Sequence, residues 1–293
     1  MVQNQRKRKI LLIEPPFYRL YKDSFSLSRY PLSLGYLAGT IKRETNWDIM
    51  VYNADFSPKN DTIEIAYLSG AGFKNYLKNL ENLSSPVWEE IKSTLEEYKP
   101  TVIGISTKSQ NFASTCIIAK LAKEIDSNII VVVGGPHPSM VGEDILNDPN
   151  IDVSVKGEGE ITIIELLNAI DKQETFNKVK GIIYRNGSQV IETPSREYID
   201  DLDSLCFPHK FASEVLKDYD QYPKQAFGNI FSTRGCPYSC FFCGSRNIWS
   251  QRVRFRSVSN VIDEMKSLQQ MGINHIHFDD DTFGVKREYI NQL

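Results

Sequence analysis

Cys236, Cys240 and Cys243 fall within the run Ser-Thr-Arg-Gly-Cys-Pro-Tyr-Ser-Cys-Phe-Phe-Cys, residues 232–243. The spacing is C-x3-C-x2-C, and the aromatic Phe242 directly precedes the last cysteine. Three thiolates this close can ligate three corners of a cubane iron–sulfur cluster. The fourth iron is then without a protein ligand and open to another molecule. An open iron separates a catalytic cluster from one that only carries electrons. A structural zinc site would instead need four closed ligands, usually as two paired elements. The other cysteines, Cys116 and Cys206, are distant in sequence, and His275 and His277 lie beyond a helical stretch. With 5 cysteines in 293 residues and no secretory signal, a disulfide framework is disfavoured. Cys116 sits in an apolar helical run and reads as a small buried hydrophobe.

The elements that must position this loop are legible as periodicity. Over the first 170 or so residues, short β-branched runs alternate with helical patterns, which predicts a parallel sheet. Strands are expected over 9–13, 48–52, 102–106, 129–133 and 152–155. Helices are expected over 32–43, 63–80, 86–98, 112–125, 143–146 and 161–170. Continuous apolar strands such as Val131-Val-Val133 imply helices on both sheet faces. Ligands of open α/β sheets bind outside the carboxyl ends of the strands. Three small-residue loops fall there: Gly104-Ile-Ser106-Thr107, Gly134-Gly-Pro-His-Pro-Ser139 and Lys156-Gly-Glu-Gly-Glu160. Glycines at these ends admit a bulky ligand close to the backbone, although a Gly-Gly-Pro run taken alone is equally a tight turn.

After a connector, 179–185 and 188–192 read as a hairpin turned at Asn186-Gly187. Pro194, Pro208 and Pro223 then interrupt a polar stretch. Beyond the cysteines, 257–271 has a helical pattern closed by Gly272. A strand over 275–278 leads into Asp279-Asp-Asp-Thr-Phe283.

Taken in order, these motifs resemble the radical S-adenosylmethionine superfamily, and within it the subfamily whose radical core follows a cobalamin-binding domain. The C-x3-C-x-aromatic-C loop after a strand is the superfamily signature. Pro31-Leu-Ser-Leu-Gly-Tyr-Leu-Ala38, Asp55, the Gly-Gly-Pro-His turn and the Gly-Glu-Gly-Glu segment match the cobalamin-domain pattern. The resemblance implies a doubly wound, flavodoxin-like parallel sheet over 1–172 and a connector with a hairpin over 173–224. It also implies the first βα units of a partial TIM-type barrel over 225–293. It implies a 4Fe-4S cluster on Cys236, Cys240 and Cys243, and S-adenosylmethionine contacts from Phe242, Asp280 and Asp281. Cobalamin contacts would come from Ser106, Thr107, Gly134, Gly135, Pro136, His137, Gly157, Glu158 and Gly159. The acidic run has a second reading, as caps for the helix beginning near Lys286.

One departure is informative. Cobalamin domains that supply a histidine to cobalt carry it after the first strand, where this chain reads Glu14-Pro-Pro-Phe-Tyr-Arg-Leu20. The resemblance therefore implies cobalamin bound with its lower ligand displaced and no protein histidine in its place. His137 either approaches the corrin or hydrogen-bonds within its turn.

A βαβ unit takes ~30 residues, so six units need about 180. Only about 68 follow Gln225. The expectation is a C-terminally truncated core, inactive or severely impaired alone. The net charge of −3 argues against a nucleic-acid partner. The basic run Arg6-Lys-Arg-Lys9 reads as a solvated terminus. The longest apolar runs, 10–13 and 129–133, are too short for a membrane span. A cytoplasmic, reducing setting follows. The functional expectation is radical methyl transfer or oxidative cyclisation on a small-molecule substrate, fed by an external donor of flavodoxin or ferredoxin type. The alternatives are a chain that only binds cobalamin and a zinc protein with a flavodoxin-like domain.

Overall fold

The computed structural model describes residues 8–59, 61–249 and 251–293. Arg6 and Lys7 of the basic run lie outside the described residues; Arg8 pairs with Asp171 at 3.1 Å.

The strands are β1 (Lys9–Glu14), β2 (Asp48–Asn53), β3 (Val102–Ser106), β4 (Ile130–Gly134), β5 (Val153–Val155), β6 (Ile182–Asn186), β7 (Gln189–Glu192), β8 (Asn229–Ile230), β9 (Thr233–Arg234), β10 (Arg254–Phe255) and β11 (His277–Phe278). The helices are α1 (Tyr18–Tyr21), α2 (Leu32–Glu44), α3 (Ile65–Ser69), α4 (Ala71–Glu81), α5 (Pro86–Tyr98), α6 (Phe112–Ile125), α7 (Pro136–Val141), α8 (Glu160–Lys172), α9 (Ala212–Val215), α10 (Ser245–Trp249), α11 (Val258–Gln270) and α12 (Arg287–Gln292).

The first five strands form a parallel sheet in the order β2-β1-β3-β4-β5. This is the flavodoxin-like winding, with its switch point between β1 and β3. Side chains alternate across a strand, so β1 feeds two cores. Ile10 and Leu12 join Leu34 and Ile41 of α2 and Leu166 of α8. Leu11 and Ile13 join Trp88 and Ile91 of α5 and Ile118 of α6.

Local chemistry accounts for the departures from the expected elements. The helix expected over 63–80 breaks at Gly70 into α3 and α4, since glycine is a poor helix residue. The segment expected as a helix over 143–146 forms a 3-10 helix, Gly142–Asn147. The Gly-Gly-Pro turn opens α7: Gly135 takes φ 109°, and Pro136 stands at the first helical position. The hairpin does not stand apart as a connector element. β6 pairs antiparallel with β5 and carries β7, extending the sheet to seven strands.

The C-terminal units pack on the same apolar core. Ile230, Val261, Leu268 and Ile273 join Tyr30, Leu34 and Phe227. Before the cysteine loop the chain forms two short strands rather than one. β8 pairs parallel with β11, whereas β9 pairs antiparallel with β10. Ser257 caps α11 by accepting from Asn260 N at 3.1 Å. No helix among the described residues is long and apolar enough to cross a membrane.

Candidate functional site

A cavity of about 580 Å³ opens at the carboxyl ends of β1, β3, β4 and β5, a volume in the usual range for organic ligands. Of the residues expected there, Ser106, Gly134, Gly135, Pro136, Gly157, Glu158 and Gly159 line it, and Asp281 reaches it from the C-terminal units. The glycines are needed for shape. A Cβ on Gly135 would come within 2.9 Å of Thr107 O, at a φ that side-chain-bearing residues rarely adopt. The wall is completed by Tyr36 and Leu37 of α2, by Asp55, and by Arg234, Ile248 and Trp249 around the cysteine loop.

Thr107 and His137 are outside the lining and tie the loops to each other. Thr107 N donates to Gly134 O at 2.7 Å, and Thr107 O accepts from His137 N at 3.1 Å. The Thr107 hydroxyl is fully buried against Thr115 Oγ1 at 3.1 Å. His137 Nδ1 meets Ser109 Oγ at 3.0 Å, and its ring packs on Phe112. Desolvation holds the imidazole below its ordinary pKa, favouring the neutral ring. Ser139 joins the next pair of loops, donating to Gly135 O and accepting from Gly157 N. The described lining residues include no histidine.

Glu158 is turned away from a simple ligand role. Its oxygens accept from Arg234 Nη1 at 2.7 Å, Arg254 Nη1 at 2.8 Å and Ile199 N at 2.8 Å. Burial alone would raise its pKa, but hydrogen bonds and charge from Arg254 and Arg234 outweigh burial and lower it. Glu160 takes the other arm of Arg234 at 2.6 Å. All four side chains are buried, so two carboxylates and two guanidiniums neutralise each other out of water.

The cysteine loop follows β9. Cys236 is partly buried, its Sγ 3.2 Å from Thr282 Oγ1, while Cys240 and Cys243 are exposed. Phe242 is 78% exposed. Among the described residues, no three His, Cys, Asp or Glu side chains are gathered as ligands for one metal ion. The donor set nonetheless suits a cluster with one open iron: three free thiols on one loop. Asp280 is fully engaged, accepting from the backbone N and hydroxyl of both Ser232 and Thr233. Those bonds hold the break between β8 and β9. Asp281 accepts from Ser245 Oγ and faces the cavity. Arg29 and Asp279, 2.8 Å apart, bridge the two parts of the chain at the mouth.

Asp55 accepts from Phe17 N at 2.7 Å and Arg19 N at 3.0 Å, closing the β1–α1 loop. Desolvation pushes its carboxyl up to about 7, against those two donors. The unfolded chain releases this proton near 3.8. Asp55 therefore stabilises the fold fully below that pH, and the contribution fades as pH rises through about 7. Asp55→Asn keeps an acceptor and removes the titration. We expect it to flatten the fall in stability between pH 4 and 7, and to gain about 1–2 kcal/mol at pH 8 after allowance for solvent screening. Urea unfolding across that range checks the result.

Arg234, Glu160, Tyr36 and Trp249 were not singled out from sequence. The available signal was Arg234 two residues before the first cysteine, and two glutamates at i and i+2 in the Gly-Glu-Gly-Glu segment.

Comparison with known proteins bears on the fold and family. The B12 binding domain family model matches residues 18–167. An uncharacterised methyltransferase of Pyrococcus horikoshii is 30% identical over 285 residues, 96% of this chain and 55% of that protein. The anaerobic magnesium-protoporphyrin IX monomethyl ester cyclase of Synechocystis is 38% identical over 152 residues, 51% of this chain and 30% of that protein. The radical S-adenosylmethionine methyltransferase TsrM of Kitasatospora setae, solved with cobalamin and a [4Fe-4S] cluster bound, superposes with a TM-score of 0.67 at 19% identity. That alignment covers 98% of this chain and 50% of TsrM. The chain thus spans about half or less of the proteins it matches. It belongs to the B12-binding domain family.

Proposed function

We propose that this chain binds cobalamin in the carboxyl-end cavity and a 4Fe-4S cluster on Cys236, Cys240 and Cys243, and that it serves radical methyl transfer or a related cyclisation on a small molecule. The observation that carries the reading is the shared wall: Arg234, Ile248 and Trp249, which flank the cysteine loop, also line the cavity of the α/β sheet. One site would then hold both cofactors.

When bound, the cluster supplies the electron that splits S-adenosylmethionine, and cobalamin supplies the methyl-carrying or redox centre. The chain's own residues bind and orient. The Gly134-Gly135 and Gly157 backbones admit the corrin closely. Tyr36, Leu37 and Trp249 exclude water from its face. Asp281 would take the amino group of S-adenosylmethionine, a reading supported by its carboxylate lining the cavity, while Asp280 holds Ser232 and Thr233 in position. A flavodoxin- or ferredoxin-type donor is the partner this chemistry requires, in a reducing cytoplasmic setting.

The test is anaerobic reconstitution with iron and sulfide, together with a hydroxocobalamin titration. The expected result is a cluster whose paramagnetic resonance spectrum shifts with S-adenosylmethionine, and one bound cobalamin per chain. Cobalamin uptake without iron would favour the binding-module reading. Neither cofactor bound would refute both readings.

His137→Ala is expected to leave the visible spectrum of bound cobalamin unchanged, because its ring faces Ser109 and Phe112. A shift of that spectrum on mutation would make His137 a cobalt ligand after all.

A further inference from the structure

The cavity and the cysteine loop meet on one buried cation. The Arg234 guanidinium donates to Glu158, just before α8, and to Glu160, its first residue. It also lies 5.2 Å from the ring centroids of both Tyr36 and Trp249. Burial alone would lower its pKa, but Glu160 and Glu158 outweigh burial and hold it above the ordinary arginine value. Its side chain is part of the cavity wall.

The same residue is the last of β9. Gly235 follows with φ 107°, where a Cβ would come within 2.3 Å of Arg252 O, and Cys236 comes next. Trp249 ends α10, the helix after Cys243. The segment 235–248, which holds all three cysteines, is therefore anchored at both ends on one guanidinium. Gly244 also runs close to α7: a Cβ there would come within 2.6 Å of Met140 Sδ.

We infer that Arg234 is a positioning residue that fixes the cysteine loop to the cavity wall, so that a ligand filling the cavity tightens the loop. The inference rests on the proposed cobalamin reading. A clamp that only stabilised the fold would protect the loop equally with and without ligand. Coupling through the wall makes the protection depend on occupancy.

The experiment is hydrogen exchange of residues 235–248 in the full chain, free and saturated with hydroxocobalamin as judged by its visible spectrum. In the unmutated protein, cobalamin is expected to slow exchange at least about fivefold, the low end of ordinary coupling between sites. The paired variant Arg234→Gln with Glu160→Gln removes one charge of each sign, so no new buried charge is left unpaired. At saturation its loop is expected to exchange equally with and without cobalamin. Arg234→Lys keeps the charge without the two-armed fork, and is expected to show reduced slowing; it decides the matter if the paired variant does not fold or load. Bound cobalamin without slowing in the unmutated protein, or full slowing in either variant, would overturn the inference. An unmutated protein that takes up no cobalamin, seen as an unchanged spectrum, would overturn the proposed function and this inference with it.

Discussion

Replacing Cys236, Cys240 and Cys243 together by alanine is expected to abolish iron binding after anaerobic reconstitution, from about four irons per chain to none. Cobalamin uptake should persist in the same variant. The two outcomes separate because the ligands separate. The thiols lie on the loop between β9 and α10, and none of them lines the cavity. Single replacements are informative about order. Cys236, partly buried beside Thr282, sits on the more constrained part of the loop; Cys240 and Cys243 are exposed. Iron analysis and the near-ultraviolet charge-transfer absorbance measure the first result, and a hydroxocobalamin titration measures the second. A triple variant that still held four irons would remove these residues as the cluster's ligands. Loss of cobalamin along with iron would mean that the cysteine loop is needed to form the cavity.

Glu158→Ala is expected to destabilise the chain by roughly 3–5 kcal/mol, the usual cost of leaving a buried ionic partner unpaired. Glu158 accepts from Arg234, Arg254 and Ile199 N at once. Arg234 would keep Glu160, but Arg254 would keep only Ile199 O and the face of Tyr198. Set against a total stability of about 5–15 kcal/mol, the loss is large enough to populate unfolded chain. The pH dependence has a definite sign. The folded carboxyl titrates below its unfolded value of 4.5, so its contribution is present above that pH and lost as pH falls through the folded value. Glu158→Gln retains an acceptor and loses the charge, so it should remove that acid sensitivity. Urea unfolding between pH 3 and 7 measures both variants. A cost for Glu158→Ala within 1 kcal/mol would show that the network is open to water.

The sheet was readable because its pattern is local. Ile10–Ile13 and Val131–Val133 are apolar on both faces, and that pattern requires a doubly covered parallel sheet. Helices α5 and α6 were readable to their ends, because Pro86 and the apolar spacing mark them. The cysteine spacing was legible for the same reason: a ligand set confined to one loop is a one-dimensional signal. The α3–α4 break was less legible, since a single glycine in a helical pattern does not by itself stop a helix.

The loop motifs were legible as places and much less so as roles. Gly134, Gly135 and Gly157 face the cavity as their residue type suggests. Thr107 and Glu158 were marked by the same loops and Asp280 by the acidic run after β11, yet their side chains bond other parts of the chain. A polar side chain beside a ligand-binding turn can face the ligand or secure the turn, and motif order is the same in both cases. What the amino-acid sequence determined by itself was the α/β fold class and the edge of the sheet where a cavity opens, and it marked three closely spaced thiols as candidate ligands. The tertiary structure alone decided that the Gly-Glu-Gly-Glu segment grips Arg234 and that the hairpin extends the sheet. It also decided that residues flanking the cysteine loop, Arg234, Ile248 and Trp249, form part of the cavity wall. Arg234 and Glu160 are 74 positions apart, and β5 and β6 pair across 27 to 31; such pairings follow from tertiary packing, which no local period encodes.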